Sequence, residues 1–136
     1  FPENPKRPFI KRLIAVGGDT VEIKEGHVFV NGRMASEGET APTTYYYNQG
    51  PFGQEQTVTD VPQDMYFVLG DNSSSSHDSR FWGFVPKRLL IGRAMCIFWP
   101  PPRLRVLRGW RLDIFLLDTP QGLGRGYCFY LPYCVS

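Results

Sequence analysis

The chain has 136 residues, of which 42% are hydrophobic and 21% are charged, and its formal net charge is +2. This length suits one compact domain and excludes a large multidomain protein. The composition is too apolar and too weakly charged for a disordered tail or for a protein that coats nucleic acid. Because 14 Gly and 12 Pro interrupt the chain often, strands and turns are favoured over a helical bundle.

The first quarter of the chain is predicted to form consecutive strands. A β-prone run covers residues 9–16, polar and apolar residues alternate over 20–24, and a short apolar run follows at 28–30. The second and third of these runs should pair as a hairpin. Asn31-Gly32 tolerates positive φ at both centres of a type I′ turn, so a second reversal of the chain is predicted there.

The middle of the chain is predicted to leave the sheet and then return to it. Residues 33–62 lose all periodicity and are interpreted as a surface excursion. Residues 65–69 have the length and composition of a buried strand, and 91–99 have those of a further strand. The resulting expectation is a mostly β domain.

Three consecutive prolines at 100–102 mark a predicted domain boundary, because they can continue neither a helix nor an inner strand. Residues 1–102 hold 10 Lys/Arg against 11 Asp/Glu, whereas 103–136 hold 5 Arg against 2 Asp, so the net charge changes from −1 to +3. We interpret 103–136 as a tail of uncertain origin. It is either a genuine extension that packs on the domain or a frameshift or gene-model artefact, and the artefact is the preferred interpretation.

Cysteine spacing and hydropathy exclude several kinds of site. Cys96, Cys128 and Cys134 lack CxxC spacing and a nearby pair of histidines, so neither a disulfide framework nor a zinc site is predicted. No run of about 18 apolar residues is present to span a bilayer. The sequence also begins at Phe1 without a signal-like segment. The expectation is a soluble protein or one whose N-terminal part is missing.

Lys11 is the first candidate for chemistry. In a strand it shares one face with Phe9 and Leu13, while Arg12 shares the opposite face with Ile10 and Ile14, so one of the two charges must sit among apolar neighbours. Burial lowers the pKa of a lysine amine and makes it available as a general base. The alternative is a strand lysine whose stem covers the core while its amine stays in water.

The second candidate is the segment 70–86, in which the predicted strand at 65–69 runs into a loop of small hydroxyl, amide and carboxylate residues. Loops on a rigid scaffold often carry functional residues, although Ser, Asn and Asp are also common in ordinary turns. Asp78 and Arg80 are close enough to pair, and Asp71 could pair with Arg12. A Ser/His/Asp triad built on His77 and Asp78 is rejected, since neighbouring residues point apart.

Two groups of motifs appear in order along the chain. The first group is FPENP at 1–5, FIKRLIAV at 9–16, GDTVEI at 18–23 and VNG at 30–32; the second is GDNSSSSHDSR at 70–80, WGFVP at 82–86, IGRA at 91–94 and FWP at 98–100. Together they resemble the type I signal peptidases, membrane-anchored Ser/Lys proteases that remove signal peptides from exported proteins. The resemblance covers 1–102 and implies an antiparallel β fold of twisted sheets with a partly closed barrel.

The resemblance also implies roles for individual residues. Lys11 would be the general base, and Ser76 would orient it. Asp78 with Arg80, and Arg12 with Asp71, would form supporting ion pairs. It implies no metal and no cofactor.

The partners and location implied by the resemblance are those of an export enzyme. The substrates would be the signal peptides of exported preproteins, with no nucleic acid involved. The catalytic domain would lie on the outer face of a plasma or thylakoid membrane, held by an N-terminal anchor.

The sequence departs from the family in one chemical respect. The family's nucleophile lies in a Ser-Met-x-Pro segment that follows the anchor and precedes the lysine motif, and neither is present in these 136 residues. The expectation is therefore a catalytic domain incomplete at its N-terminus, which does not cleave peptides alone. The rival interpretation is a noncatalytic β domain that binds extended peptide by strand addition. A smaller departure is Ser73, which stands where a basic residue is common.

Overall fold

A computed structural model describes residues 9–35, 44–97, 101–103, 105–106, 113–116 and 127–130. The motifs predicted at 1–5 and 98–100 lie outside these residues. The strands are β1 (Phe9–Val16), β2 (Thr20–Lys24), β3 (His27–Val30), β4 (Arg33–Met34), β5 (Thr59–Asp60), β6 (Met65–Leu69), β7 (Val85–Pro86), β8 (Leu90–Ile97), β9 (Arg105–Val106), β10 (Asp113–Leu116) and β11 (Tyr127–Tyr130). A short helix, α1, spans Ser79–Trp82, and 3₁₀ turns cover Ser73–Ser75, Lys87–Leu89 and Pro101–Arg103.

The smaller sheet has the order β4-β3-β2-β5, with antiparallel pairing throughout. Both predicted chain reversals are confirmed. Glu25 and Gly26 link β2 to β3 with φ values of 52° and 78°, and Asn31 and Gly32 link β3 to β4 with φ values of 52° and 74°. Positive φ at both central positions gives the turn a twist that matches the flanking strands, so the hairpins close without splaying.

The larger sheet has the order β11-β8-β10-β1-β6-β7, and β9 also pairs with β8. Within it β1 and β6 are antiparallel neighbours, and their register shifts between Leu13 and Ala15. The buried strand predicted at 65–69 is confirmed, because Phe67, Val68 and Leu69 are completely buried. These residues fix β1 against the core and so place Lys11.

The segment 33–62, interpreted from sequence as a surface excursion, also contributes to the core where the structure describes it. Tyr46, Thr59 and Val61 are buried, while Tyr47 is exposed. The Tyr46 N–H donates to the Gly26 carbonyl at 2.9 Å, which fixes the segment against the β2–β3 turn. The sequence did not indicate these buried side chains, because isolated buried positions leave no periodic pattern.

The predicted tail supplies three strands to the larger sheet. β10 lies between β1 and β8, whereas β11 and β9 pair with β8. The backbone of the tail therefore continues the sheet of the preceding domain, while the domain boundary after residue 102 stays a prediction.

The mostly β, antiparallel fold class is confirmed by the strand content and pairing. Among the described strands, each sheet is open, with β11 and β7 at the ends of the larger order and β4 and β5 at those of the smaller. The partly closed barrel stays a prediction. No helix within the described ranges has the length and apolar character that crossing a membrane requires.

Candidate active site

The Lys11 side chain is half-buried in β1, and its amine lies 5.8 Å from the centre of the Phe9 ring. Burial lowers the pKa of Lys11 because the charged ammonium loses hydration; the nearby Asp78 carboxylate opposes this shift, and the Arg80 guanidinium adds to it. The Lys11 amine is therefore desolvated, while Arg12, also half-buried, pairs with Asp71. A desolvated lysine loses its proton at a lower pH than a lysine in water.

The Lys11 Nζ donates a hydrogen bond to the Ser76 Oγ at 2.6 Å, a contact between residues 65 positions apart. The predicted proximity of these two groups is present in the structure. The Ser76 hydroxyl also lies near the Asp78 carboxylate, where it favours the charged form and helps to lower the pKa of Asp78. Ser76 thus accepts a hydrogen bond from the amine, and its oxygen orients the amine.

The register of the sheet brings these groups together. Arg12 in β1 pairs with Leu69 at the end of β6, so the loop that follows β6 begins beside Lys11. Gly70 opens this loop. A Cβ built on Gly70 would lie 2.6 Å from the Ser76 Cβ and 3.2 Å from the Lys11 Nζ. Glycine at this position therefore leaves the space in which the amine and the hydroxyl meet.

Asp78 and Arg80 form an ion pair that is fully buried. The Arg80 Nε and Nη2 each donate to one oxygen of Asp78 at 2.9 Å, and the Gly70 N–H donates to Asp78 at 3.0 Å. Burial alone would raise the pKa of Asp78, but the bonds from Arg80 and Gly70 and the charge of Arg80 together lower it. Asp78 also caps α1 by accepting from the Arg80 N–H. The pair therefore fixes the end of the loop that leads into α1, with both buried charges hydrogen-bonded.

Arg80 has further contacts that the sequence did not indicate. Its Nη1 donates to the Tyr47 carbonyl and to the Ser73 Oγ, both at 2.8 Å, and its Nη2 donates to the Ser73 carbonyl at 2.8 Å. The Ser73 hydroxyl also accepts from the Tyr47 N–H at 2.9 Å. Neither Ser73 nor Tyr47 could be found from local pattern, because the contact joins positions 26 residues apart.

The Arg12–Asp71 pair forms as predicted, with distances of 2.7 Å and 3.0 Å between the guanidinium and the carboxylate. The Asp71 side chain is 59% exposed, so the stabilisation it adds is small, about 1 kcal/mol or less. The pair ties β1 to the loop after β6. His77 is exposed and contacts the edge of the Phe81 ring.

The described parts of the chain contain no group of three or more His, Cys, Asp or Glu that could hold a metal ion. The chemical resources around Lys11 are thus an amine, a hydroxyl and a buried ion pair. Fold and site define an antiparallel β protein with a half-buried lysine oriented by a serine hydroxyl. In such an arrangement a lysine amine can take the place of histidine as a base.

Comparison with known proteins gives the family. The family described as signal peptidase, peptidase S26, matches residues 1–99. A probable signal peptidase I-2 of Synechocystis is 48% identical over 100 residues, covering 73% of this chain and 42% of that protein. The thylakoidal processing peptidase 1 of Arabidopsis thaliana is 36% identical over 96 residues, covering 71% of this chain and 26% of that protein.

A crystal structure of a signal peptidase I from Enterococcus faecalis is also similar, with 29% sequence identity and a TM-score of 0.42. The match covers 73% of this chain and 80% of that one. Because the family match extends over residues 1–99, this chain belongs to the signal peptidase family, peptidase S26. It spans less than half the length of the Synechocystis and Arabidopsis relatives.

Proposed function

We propose that this chain carries the base half of a serine endopeptidase site that removes signal peptides from exported proteins. Lys11 is the general base, and the nucleophile is a serine outside these 136 residues. The observation that carries the proposal is the 2.6 Å contact between the Lys11 Nζ and the Ser76 Oγ at a desolvated amine. Membership of the signal peptidase family supports the same reaction.

The proton path follows from the site's hydrogen bonds. The neutral Lys11 amine donates one N–H to Ser76, and its lone pair faces away from that bond. It takes the proton of the nucleophilic hydroxyl as the serine oxygen attacks the peptide carbonyl, and it returns that proton to the departing amine. Burial supports this cycle because it keeps the pKa of Lys11 below that of an exposed lysine.

The described serines argue against a nucleophile within the loop. The Ser76 Oγ accepts the hydrogen bond from the Lys11 Nζ, which is the contact of a group that orients the amine. The Ser79 hydroxyl is completely buried and accepts from the Val68 N–H at 3.0 Å. The Ser73 hydroxyl is buried against Arg80. Ser76 therefore acts as the group that orients the base.

Location and partners are proposed from the family. One relative is a thylakoidal processing peptidase. We place the enzyme at a plasma or thylakoid membrane, anchored by a segment that precedes the lysine motif, with its catalytic domain on the outer face. Its substrates are the signal peptides of exported preproteins.

The test compares the 136-residue chain with a polypeptide that has an apolar anchor and a Ser-Met-x-Pro segment placed ahead of Phe1. A preprotein substrate is incubated with each in detergent, and release of the signal peptide is followed. The extended polypeptide should cleave, and the chain alone should not. Lys11→Ala and Lys11→Arg should each abolish cleavage, because neither side chain accepts a proton at neutral pH.

Lys24→Arg is the matched control, since Lys24 lies exposed in β2, and it should cleave like the parent. An extended polypeptide that binds the preprotein without cutting it would support the noncatalytic peptide-binding alternative instead. Cleavage by the chain alone that is lost with Ser76→Ala would make Ser76 the nucleophile and overturn the assignment.

A further inference from the structure

We propose that Ser73 is a positioning residue for Lys11. Its buried hydroxyl is hydrogen-bonded to Arg80 and to the backbone of Tyr47, and these bonds fix the turn that ends at Ser76. The fixed turn holds the Ser76 Oγ against the Lys11 amine. The inference rests on the proposed role of Lys11. It adds a residue that acts through two others and touches neither the amine nor a substrate.

The contacts of Ser73 form a closed arrangement. Its side chain is buried, with 4% of the residue exposed. The Ser73 Oγ accepts from the Arg80 Nη1 at 2.8 Å and from the Tyr47 N–H at 2.9 Å, while the Ser73 carbonyl accepts from the Arg80 Nη2 at 2.8 Å. One residue of the turn is therefore held by three hydrogen bonds from two separate parts of the chain.

The position of Ser76 depends on this arrangement because the two residues belong to one short turn. A 3₁₀ helix covers Ser73–Ser75 and ends at Ser76, which has extended backbone. The direct bond from Arg80 to the Ser76 carbonyl is long, at 3.4 Å. The backbone hold on Ser76 therefore passes mainly through Ser73, and a shift of the turn changes the distance from Ser76 to Lys11.

The neighbouring hydroxyls do not share this role. Ser74 is exposed, and its hydroxyl donates to the Asn72 side chain at 3.2 Å, within the same loop. Removing the Ser73 hydroxyl would leave one N–H of the buried Arg80 without an acceptor and would release the Tyr47 N–H. The Asp78 carboxylate would still hold Arg80 through two hydrogen bonds, so we expect the Ser73–Ser75 turn to move and Arg80 to stay in place.

The experiment measures the amine directly in the 136-residue chain. The pKa of Lys11 is determined by NMR titration of its side-chain amine in the wild type, in Ser73→Ala and in the matched control Ser74→Ala. The charged groups that act on this amine, Asp78 and Arg80, are unchanged in all three. If Ser73 holds the turn, Ser73→Ala lets water reach Lys11 and raises its pKa by about 0.5 units or more toward 10.5, whereas Ser74→Ala leaves it unchanged.

A second readout uses the extended polypeptide with its serine segment. There Ser73→Ala should lower kcat about tenfold with KM unchanged, since an orienting group is lost but no substrate contact is. A raised pKa in a polypeptide that never cleaves would uphold the role of Ser73 at the amine and refute the proposed function. Cleavage together with an unchanged pKa and kcat in Ser73→Ala would overturn the inference alone. If Ser73→Ala does not fold, Ser73→Cys takes its place, because a thiol fills similar space and accepts hydrogen bonds weakly.

Discussion

Replacing Gly70 with alanine tests how closely the loop after β6 must approach Lys11. Gly70 has no positive φ, so alanine fits the backbone without strain, and the effect comes from the added methyl group alone. That methyl carbon would lie 2.6 Å from the Ser76 Cβ and 3.2 Å from the Lys11 Nζ. Carbon atoms pack comfortably at about 3.5–4.0 Å, so Ser76 must move by about 1 Å.

The displacement has two measurable costs. Forcing a methyl group into a packed site typically destabilises a protein by about 1–3 kcal/mol. Moving Ser76 by about 1 Å also stretches its 2.6 Å bond to Lys11 beyond hydrogen-bonding distance. A misplacement of this size typically costs about 100-fold in rate. We therefore expect Gly70→Ala to lower both the free energy of unfolding and kcat.

Urea unfolding gives the first quantity, and preprotein cleavage by the extended polypeptide gives the second. The double variant Gly70→Ala/Ser76→Gly supplies the control, because it removes the side chain that the methyl group meets. It should recover stability relative to Gly70→Ala but not cleavage. The steric reasoning is refuted if Gly70→Ala unfolds and cleaves like the wild type.

Three further outcomes are expected. Lys11→Met should abolish cleavage by the extended polypeptide and raise the free energy of unfolding at pH ~7. This gain in stability should shrink toward pH ~10, because the lowered pKa of Lys11 makes the unfolded wild type bind more protons than the folded one below 10.5. Equal gains at the two pH values in urea unfolding would contradict this. Asp78→Asn leaves the buried Arg80 charge unpaired and should cost about 3–5 kcal/mol at neutral pH. Since the pKa of Asp78 is lowered from 3.8, the difference in stability between the variant and the wild type should become smaller only in acid, where the wild type also loses the ion pair. A stability difference that stays constant across an acid titration would contradict this. Truncation after residue 102 removes β10 from between β1 and β8 but leaves β1 paired with β6 and both buried clusters around Phe67 and Val68, so a cooperative melt by circular dichroism should remain. An unfolded product would place the domain boundary elsewhere.

Sequence reasoning reached the parts of the fold that local chemistry determines. The type I′ turn at Asn31-Gly32 needs only two residues that accept positive φ, and both hairpins formed as predicted. The buried strand at 65–69 needs only a short apolar run. The ion pair of Asp78 and Arg80 joins residues two positions apart, so adjacency alone brought them within reach.

Alternation in β1 predicted that either Lys11 or Arg12 must sit among apolar side chains, but it did not choose between them. The structure buries the lysine amine at Ser76 and leaves the arginine paired with an exposed Asp71. The choice depends on the register of β1 against β6, which brings the loop after β6 to the face that carries Lys11. Register depends on the packing of the whole sheet and therefore has no local signal.

The tertiary structure alone decided the second set of contacts, those of Ser73, Tyr47 and Gly70. The sequence marked Gly70 only as part of a motif, and its steric role became visible once Ser76 and Lys11 were placed against it. Ser73 is one of four consecutive serines and has no distinguishing neighbour along the chain. Its hydroxyl acquires its partners because Tyr47, in a segment without periodicity, lies beside Arg80. Contacts that join distant segments depend on where the folded backbone places them, and local sequence patterns do not encode that placement.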